Sequence, residues 1–279
     1  MNDMQCIVER ELADGASFFQ TSDEEFVQLL PGMLALHLAA GEKAYAESAA
    51  MALKSRMEKG LSCEDSTAFN AGKAFLRAFD ETGDMQWKAE AESLIKRAKT
   101  VCGSDPREEM LALYAAQPFL VAYDVRFGDK RAAQIAAEKF REAGKSIVLP
   151  GMDAEKEIEL PFLWYMAGLI DTIEQMDQQL YEHYRSLVDQ FRAAAIPLLN
   201  GKALWKPDAL SLLYSDMLYY SLMKGIRLGI LDGEKYAAKL IHQFVQSAKA
   251  DRKNASPLDL EKGMFLLALS EYVKGADGK

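Results

Sequence analysis

The chain has 279 residues, with 33 Lys and Arg against 42 Asp and Glu, a formal net charge of −9 and a sequence pI near 5.1. Such acidity argues against a nucleic-acid binder, because phosphate recognition needs a basic face. At 49% hydrophobic and 27% charged residues it is neither disordered nor collagen-like, and it is long enough to bury a large core without metal or disulfides.

The opening stretch MNDMQCIVEREL is acidic and lacks the apolar run of a secretory signal; it predicts a helix near 3–13. An apolar helix is then expected over 25–40 and a charged one over 42–59. The same couple returns at 67–82 with 84–100, at 107–127 with 129–145, at 159–176 with 178–198, and at 209–230 with 232–250. A last apolar segment covers 257–274. Only 8 prolines interrupt the chain, and no alternating strand pattern appears; the run SIV at 146–148 is too short for one. Gly41, Gly83, Gly128 and Gly233 mark the turns inside four couples, where a helix end commonly takes a residue at positive φ, and Asp177 marks the turn of another.

The two helices of a couple differ in kind. Segment 107–127 is apolar almost all round (Met110, Leu111, Leu113, Tyr114, Phe119, Leu120, Tyr123), so it must be covered on most sides. Segment 129–145 carries one stripe of Ala132, Ile135, Ala136, Phe140 and Ala143 between charged residues. Inner helices paired with outer helices build an open solenoid or a closed double ring. Five couples, with the 3–13 helix placed beside the last inner segment, make six pairs. Unit lengths too irregular for a tetratricopeptide array favour the ring. The expectation is an all-α, single-domain (α/α)6 toroid over 1–279.

Cys6, Cys63 and Cys102 are odd in number and widely spaced, which suits neither a disulfide framework nor a zinc ribbon and points to a reducing, cytoplasmic setting. His37, His183 and His242 have no partner at helical spacing, so neither a metal nor a cofactor is expected. No phosphate loop, dinucleotide fingerprint or nucleophile elbow occurs, and no apolar run reaches membrane-spanning length. Asn70, Tyr114, Gln117 and Asp216 are polar residues of inner segments. Each must find a hydrogen bond inside the barrel or line its central cavity. Asp216 stands alone as a carboxylate on the apolar face LLYSDMLYY. The N-terminal ends of inner helices collect carboxylates, Glu108 and Glu109 among them. Capping and the helix dipole explain such residues; convergence on a mouth would suit general acids.

Five phrases resemble a known family. NAGKAFLRAFDETGD (70–84) is similar to the N-T-G-K-x-L…Y-x-x-T-G-D segment of the unsaturated uronyl hydrolases, glycoside hydrolase families 88 and 105. LYAAQPFLVAYDVRFGDKR (113–131), WYMAGLIDTIE (164–174), MLYYSLMKGIRLGIL (217–231) and KGMFLLALSEY (262–272) resemble further segments, in the family's order. The resemblance implies an (α/α)6 toroid that removes a 4,5-unsaturated uronic acid by hydrating its ring double bond, with an Asp as proton donor. Leu111 stands at that donor's position and Ala68 at the second acidic position. Ile158, Glu159, Leu160 and Pro161 replace a W-G-R-A phrase, and Ser211 replaces a Glu. The reading that follows is a carbohydrate-related relative without the family's catalytic Asp, binding a saccharide or serving as a scaffold. The alternative is a hydrolase of unsaturated uronyl oligosaccharides with relocated acids at Glu108, Glu109 or Asp216. Substrate contacts would come from Trp205, on a loop similar to one of the family, and from Trp164, Tyr114, Gln117 and Asn70. An oligosaccharide is the expected ligand; nucleic acid and membrane are not expected partners, and self-association is left open.

Overall fold

Ser22 begins the first long helix: its hydroxyl accepts the Glu25 backbone N–H at 3.2 Å, and Asp23, Glu24 and Glu25 fill the first turn. Punctuation of this kind recurs through the computed structural model, which describes residues 3–62, 66–98, 106–147, 158–201, 212–249 and 259–277. Among the described residues there is no strand, and the protein is all-α. The helices are α1 (Asp3–Ala13), α2 (Gly15–Phe18), α3 (Asp23–Ala39), α4 (Ala44–Glu58), α5 (Ser66–Ala71), α6 (Lys73–Thr82), α7 (Met85–Ala98) and α8 (Pro106–Phe127). They continue with α9 (Arg131–Ser146), α10 (Leu160–Glu174), α11 (Gln178–His183), α12 (Arg185–Asn200), α13 (Leu212–Arg227), α14 (Gly233–Lys249) and α15 (Asp259–Asp277). No helix among the described residues is long and apolar enough to cross a membrane.

Turn chemistry follows the glycines only in part. Gly41 and Gly83 end their helices at φ +83° and +69°. Gly128 does not take the left-handed conformation; the non-glycine Lys130 does, at φ 65°, just before α9. Gly229 rather than Gly233 takes it after α13, at φ +69°. Asp177 caps α11 by accepting the Leu180 N–H at 2.9 Å, and its other oxygen pairs with Lys130.

Packing sorts the helices as their composition demands. In α10 every residue from Phe162 to Ile173 is buried, whereas α9 buries only Ala133, Ala136, Phe140 and Ala143. Ile135, expected on that stripe, is exposed, because it points a quarter turn away from Ala136. The core helix α3 packs on α5, α5 on α8, α8 on α10, α10 on α13, α13 on α15, and α15 on α3. Succession of neighbours therefore returns to its start. The charged helices α4, α7, α9, α12 and α14 pack on α3 and α6, on α5, α6 and α8, on α8 and α10, on α9 and α10, and on α13 respectively. Two core crossings are too close for a side chain. A Cβ on Gly168 would lie 2.7 Å from the Tyr114 Cα, and one on Gly32 2.5 Å from the Gly263 carbonyl oxygen. Glycine there lets backbones touch, which draws α8 to α10 and α3 to α15.

Candidate functional site

Apolar helices that converge must still end, and the C-terminal halves of α3, α10, α13 and α15, with α6 alongside from its first residue, border one cleft of about 540 Å³. Its interior is charged. Asp171, on the last turns of α10, is buried and stands at the centre. Lys224 of α13 donates to its Oδ1 at 2.6 Å, the Tyr220 hydroxyl donates to the same oxygen, and Lys73 of α6 donates to Oδ2 at 3.0 Å. Lys224 also reaches Glu174 Oε2 at 2.5 Å. Arg227 joins Glu174 at 2.5 Å to Glu271 of α15 at 2.6 Å, and Lys274 closes the series on Glu271 at 2.9 Å. The spacing on each helix is what makes this reachable: Asp171 with Glu174, Lys224 with Arg227, and Glu271 with Lys274 are each three residues apart on one helix face.

Charge states follow from these contacts. Burial alone would push the Asp171 carboxyl up, but the ammonium groups of Lys224 and Lys73 outweigh it and hold it below its usual range. Glu174 behaves alike, held far down by Lys224, Lys274 and Arg227 against its burial. Lys224, despite burial, is held charged above the ordinary lysine range by Asp171, Glu174 and Glu271. Lys73 goes the other way. Burial lowers it more than Asp171 raises it, and the Lys224 charge lowers it further.

The cleft continues inward to a polar pair. Asn70, one turn before Lys73, is buried with its Oδ1 lacking any hydrogen-bond partner, and nearby the Tyr114 hydroxyl donates to the Met264 sulfur at 3.8 Å. Tyr114 carries the Lys73 ammonium 5.7 Å from its ring centroid and packs against Trp164 with centroids 4.8 Å apart. Burial raises the Tyr114 and Tyr220 hydroxyls well above the ordinary tyrosine range, so both stay neutral donors. Beyond them Leu111, Trp164, Met264 and Leu267 line a small void of about 30 Å³.

Residues singled out in the sequence thus fall in different places. Asn70 and Tyr114 line the cleft, and Trp164 lies behind Tyr114. Gln117 is buried with its Oε1 unpartnered but is not among the cleft's lining residues. Glu108 and Glu109 are exposed on the first turn of α8, at the opposite end of the core helices, and Asp216 is fully buried in α13; none of the three lines the cleft. Trp205 lies outside the described residues. Asp171, Lys224, Arg227 and Glu271 were not expected as site residues. Their signal was present all the same: one or two charges inside each of the apolar phrases GLIDTIE, SLMKGIR and LLALSEY. Among the described residues no three metal-ligating side chains converge. No protein-family model matches the chain, and no curated protein sequence matches it.

Proposed function

We propose that the protein is an (α/α)6 toroid, akin to glycoside hydrolase families 88 and 105, that binds a small saccharide without hydrolysing it. The neighbour order α3, α5, α8, α10, α13, α15 and back to α3 supports the closed reading, with α1, α4, α7, α9, α11–α12 and α14 as its outer layer. A cleft of about 540 Å³ is the size at which small ligands are held, and its alternating donors and acceptors suit a polyhydroxylated one.

One observation carries the non-catalytic reading. The cleft has two neighbouring carboxylates, Asp171 and Glu174, yet both are ion-paired to Lys224 and held ionised. Glycoside chemistry needs a carboxyl group that keeps its proton near neutral pH, which means a raised pKa. Neither residue can donate. Leu111, at the position that the resemblance gives to the proton donor, lines the apolar void.

Titration calorimetry with neutral monosaccharides, uronic acids and unsaturated uronyl disaccharides tests the proposal, beside the ultraviolet absorbance of the unsaturated members. Binding that Asn70→Ala weakens about tenfold, with absorbance unchanged, is the expected result. Absence of binding across the panel overturns the saccharide reading. Absorbance lost with the wild type and retained with Glu108→Gln restores the hydrolase with relocated acids.

A further inference from the structure

Three cations and three carboxylates of the cleft are tied to one another. Lys224, Arg227 and Lys274 are tied in series to Asp171, Glu174 and Glu271 by ion pairs of 2.5 to 2.9 Å. Lys73 is a further cation-forming amine beside this series. It differs from Lys224 in reach as well: the Lys224 side chain is 5% exposed, that of Lys73 is 23% exposed and lines the open cleft. Asp171 holds the Lys73 Nζ at 3.0 Å through one oxygen while Lys224 and Tyr220 occupy the other, so the amine is aimed but not enclosed.

We propose that Lys73 is a nucleophilic amine that captures a small hydroxy-aldehyde or hydroxy-ketone in the cleft as an imine. The Nζ lone pair adds to the carbonyl carbon, forming the C–N bond, and the carbonyl π pair moves to oxygen, which takes one of the two nitrogen protons. Loss of both nitrogen protons with that oxygen, as water, leaves the C=N bond; nothing is oxidised or reduced. Such chemistry needs an unprotonated lysine, which burial and a neighbouring cation supply; Lys73 is lowered by both. A hydroxyl of the captured compound finds the Asn70 Oδ1, buried one turn away without a partner. This inference rests on the cleft being a ligand site, and not on the ligand's being a saccharide.

The groups that face Lys73 set its pH response. They are Asp171 and Glu174 from α10, Tyr220, Lys224 and Arg227 from α13, and Tyr114 from α8. Glu271 and Lys274 from α15, Lys43 ahead of α4, and Arg77 and Glu81 on its own helix complete the wall. Asp171 and Glu174 are held ionised by their cations, while burial and the Lys224 charge bring the Lys73 amine below the ordinary lysine range.

The test incubates the full chain with glycolaldehyde and sodium cyanoborohydride, then maps reduced adducts by peptide mass spectrometry across pH. Lys73 is expected to be modified several-fold faster at neutral pH than the exposed Lys96 and Lys139, because a lysine lowered by burial and a neighbouring cation holds more free amine. Its rate should also level off at lower pH than theirs. Lys73→Arg, which keeps a cation on Asp171, should abolish that fast adduct. Lys73→Met, which leaves three cations against three carboxylates, should unfold within a few degrees of the wild type. Adducts spread evenly over the lysines, or Lys73 no faster than Lys96, overturn the proposal even if the calorimetric panel binds. A fast Lys73 adduct with a silent panel keeps it and discards the saccharide.

Discussion

The two ends of the core helices treat charge in opposite ways. At the N-terminal end, Asp23, Glu24 and Glu25 on α3 and Glu108 and Glu109 on α8 lie in first turns, where the helix dipole and free N–H groups favour anions locally. Asp23 also reaches Arg56 of α4, as a half-exposed ion pair. At the C-terminal end the charges serve different helices at once. Lys73 and Asp171 are 98 residues apart in sequence, Lys224 and Asp171 53, and Arg227 and Glu271 44. Cations there also suit helix C-termini, but burial is what separates the two ends: an exposed acid can be lost without consequence, whereas a buried one must be answered by a partner. The lesson is that a cluster of carboxylates at a helix N-terminus marks local helix chemistry, and that interhelical charges at the other end mark the site.

The largest effect expected from this difference comes from Lys224. Replacing it by Met leaves Asp171 and Glu174 buried with a shared partner gone, which costs about 3–5 kcal/mol and about 10 °C in Tm. Urea denaturation of the variant beside the wild type measures it, and a loss under about 1 kcal/mol would show the network to be solvated rather than buried. Acid provides the next effect. Asp171 and Glu174 titrate lower in the folded chain than in the unfolded one, so the stability they contribute is full above about pH 5 and drains as pH falls below it. Wild-type urea midpoints should therefore drop steeply on acidification from about pH 5 to pH 3, and Lys224→Met should flatten that slope, since its carboxyls no longer titrate low.

Helix spans were legible from composition because apolar and charged segments alternate with turn residues: the stretch expected over 107–127 is α8, and that expected over 42–59 contains α4. Breaks inside helices were less so. Gly72 stands between α5 and α6, and a Cβ there would meet Leu94 at 2.8 Å and Phe119 at 3.2 Å, a tertiary fact that no local pattern carries. Pairing was the hidden part of the site. Asp216 drew notice as a lone carboxylate on an apolar face, and the same criterion applied to Asp171, Lys224 and Glu271 finds the network's members. Which charge meets which depends on how α10, α13 and α15 come together, and no local pattern in the three helices shows that.

Gly168→Ala probes that packing directly. Its Cβ would fall 2.7 Å from the α-carbon of Tyr114 and 3.1 Å from its backbone nitrogen, atoms that cannot rotate away. Separation of α8 from α10 should cost about 1–3 kcal/mol. Because Tyr114 lines the cleft, the same substitution should also weaken ligand binding, a coupling that calorimetry on the folded variant would register.

Glu109→Gln carries the smallest effect and sharpens the comparison most. Glu109 is exposed in the first turn of α8, so its neutralisation removes a dipole interaction worth about 0.3–1 kcal/mol and nothing interhelical. Stability should change by less than about 1 kcal/mol, its acid dependence should be that of the wild type, and binding in the cleft should be unaltered. A silent Glu109→Gln beside a damaging Lys224→Met assigns ligand recognition to the C-terminal end. The reverse pattern, with binding lost at Glu109 and stability untouched at Lys224, would move the site to the other end of the same helices and return those carboxylates to a chemical role.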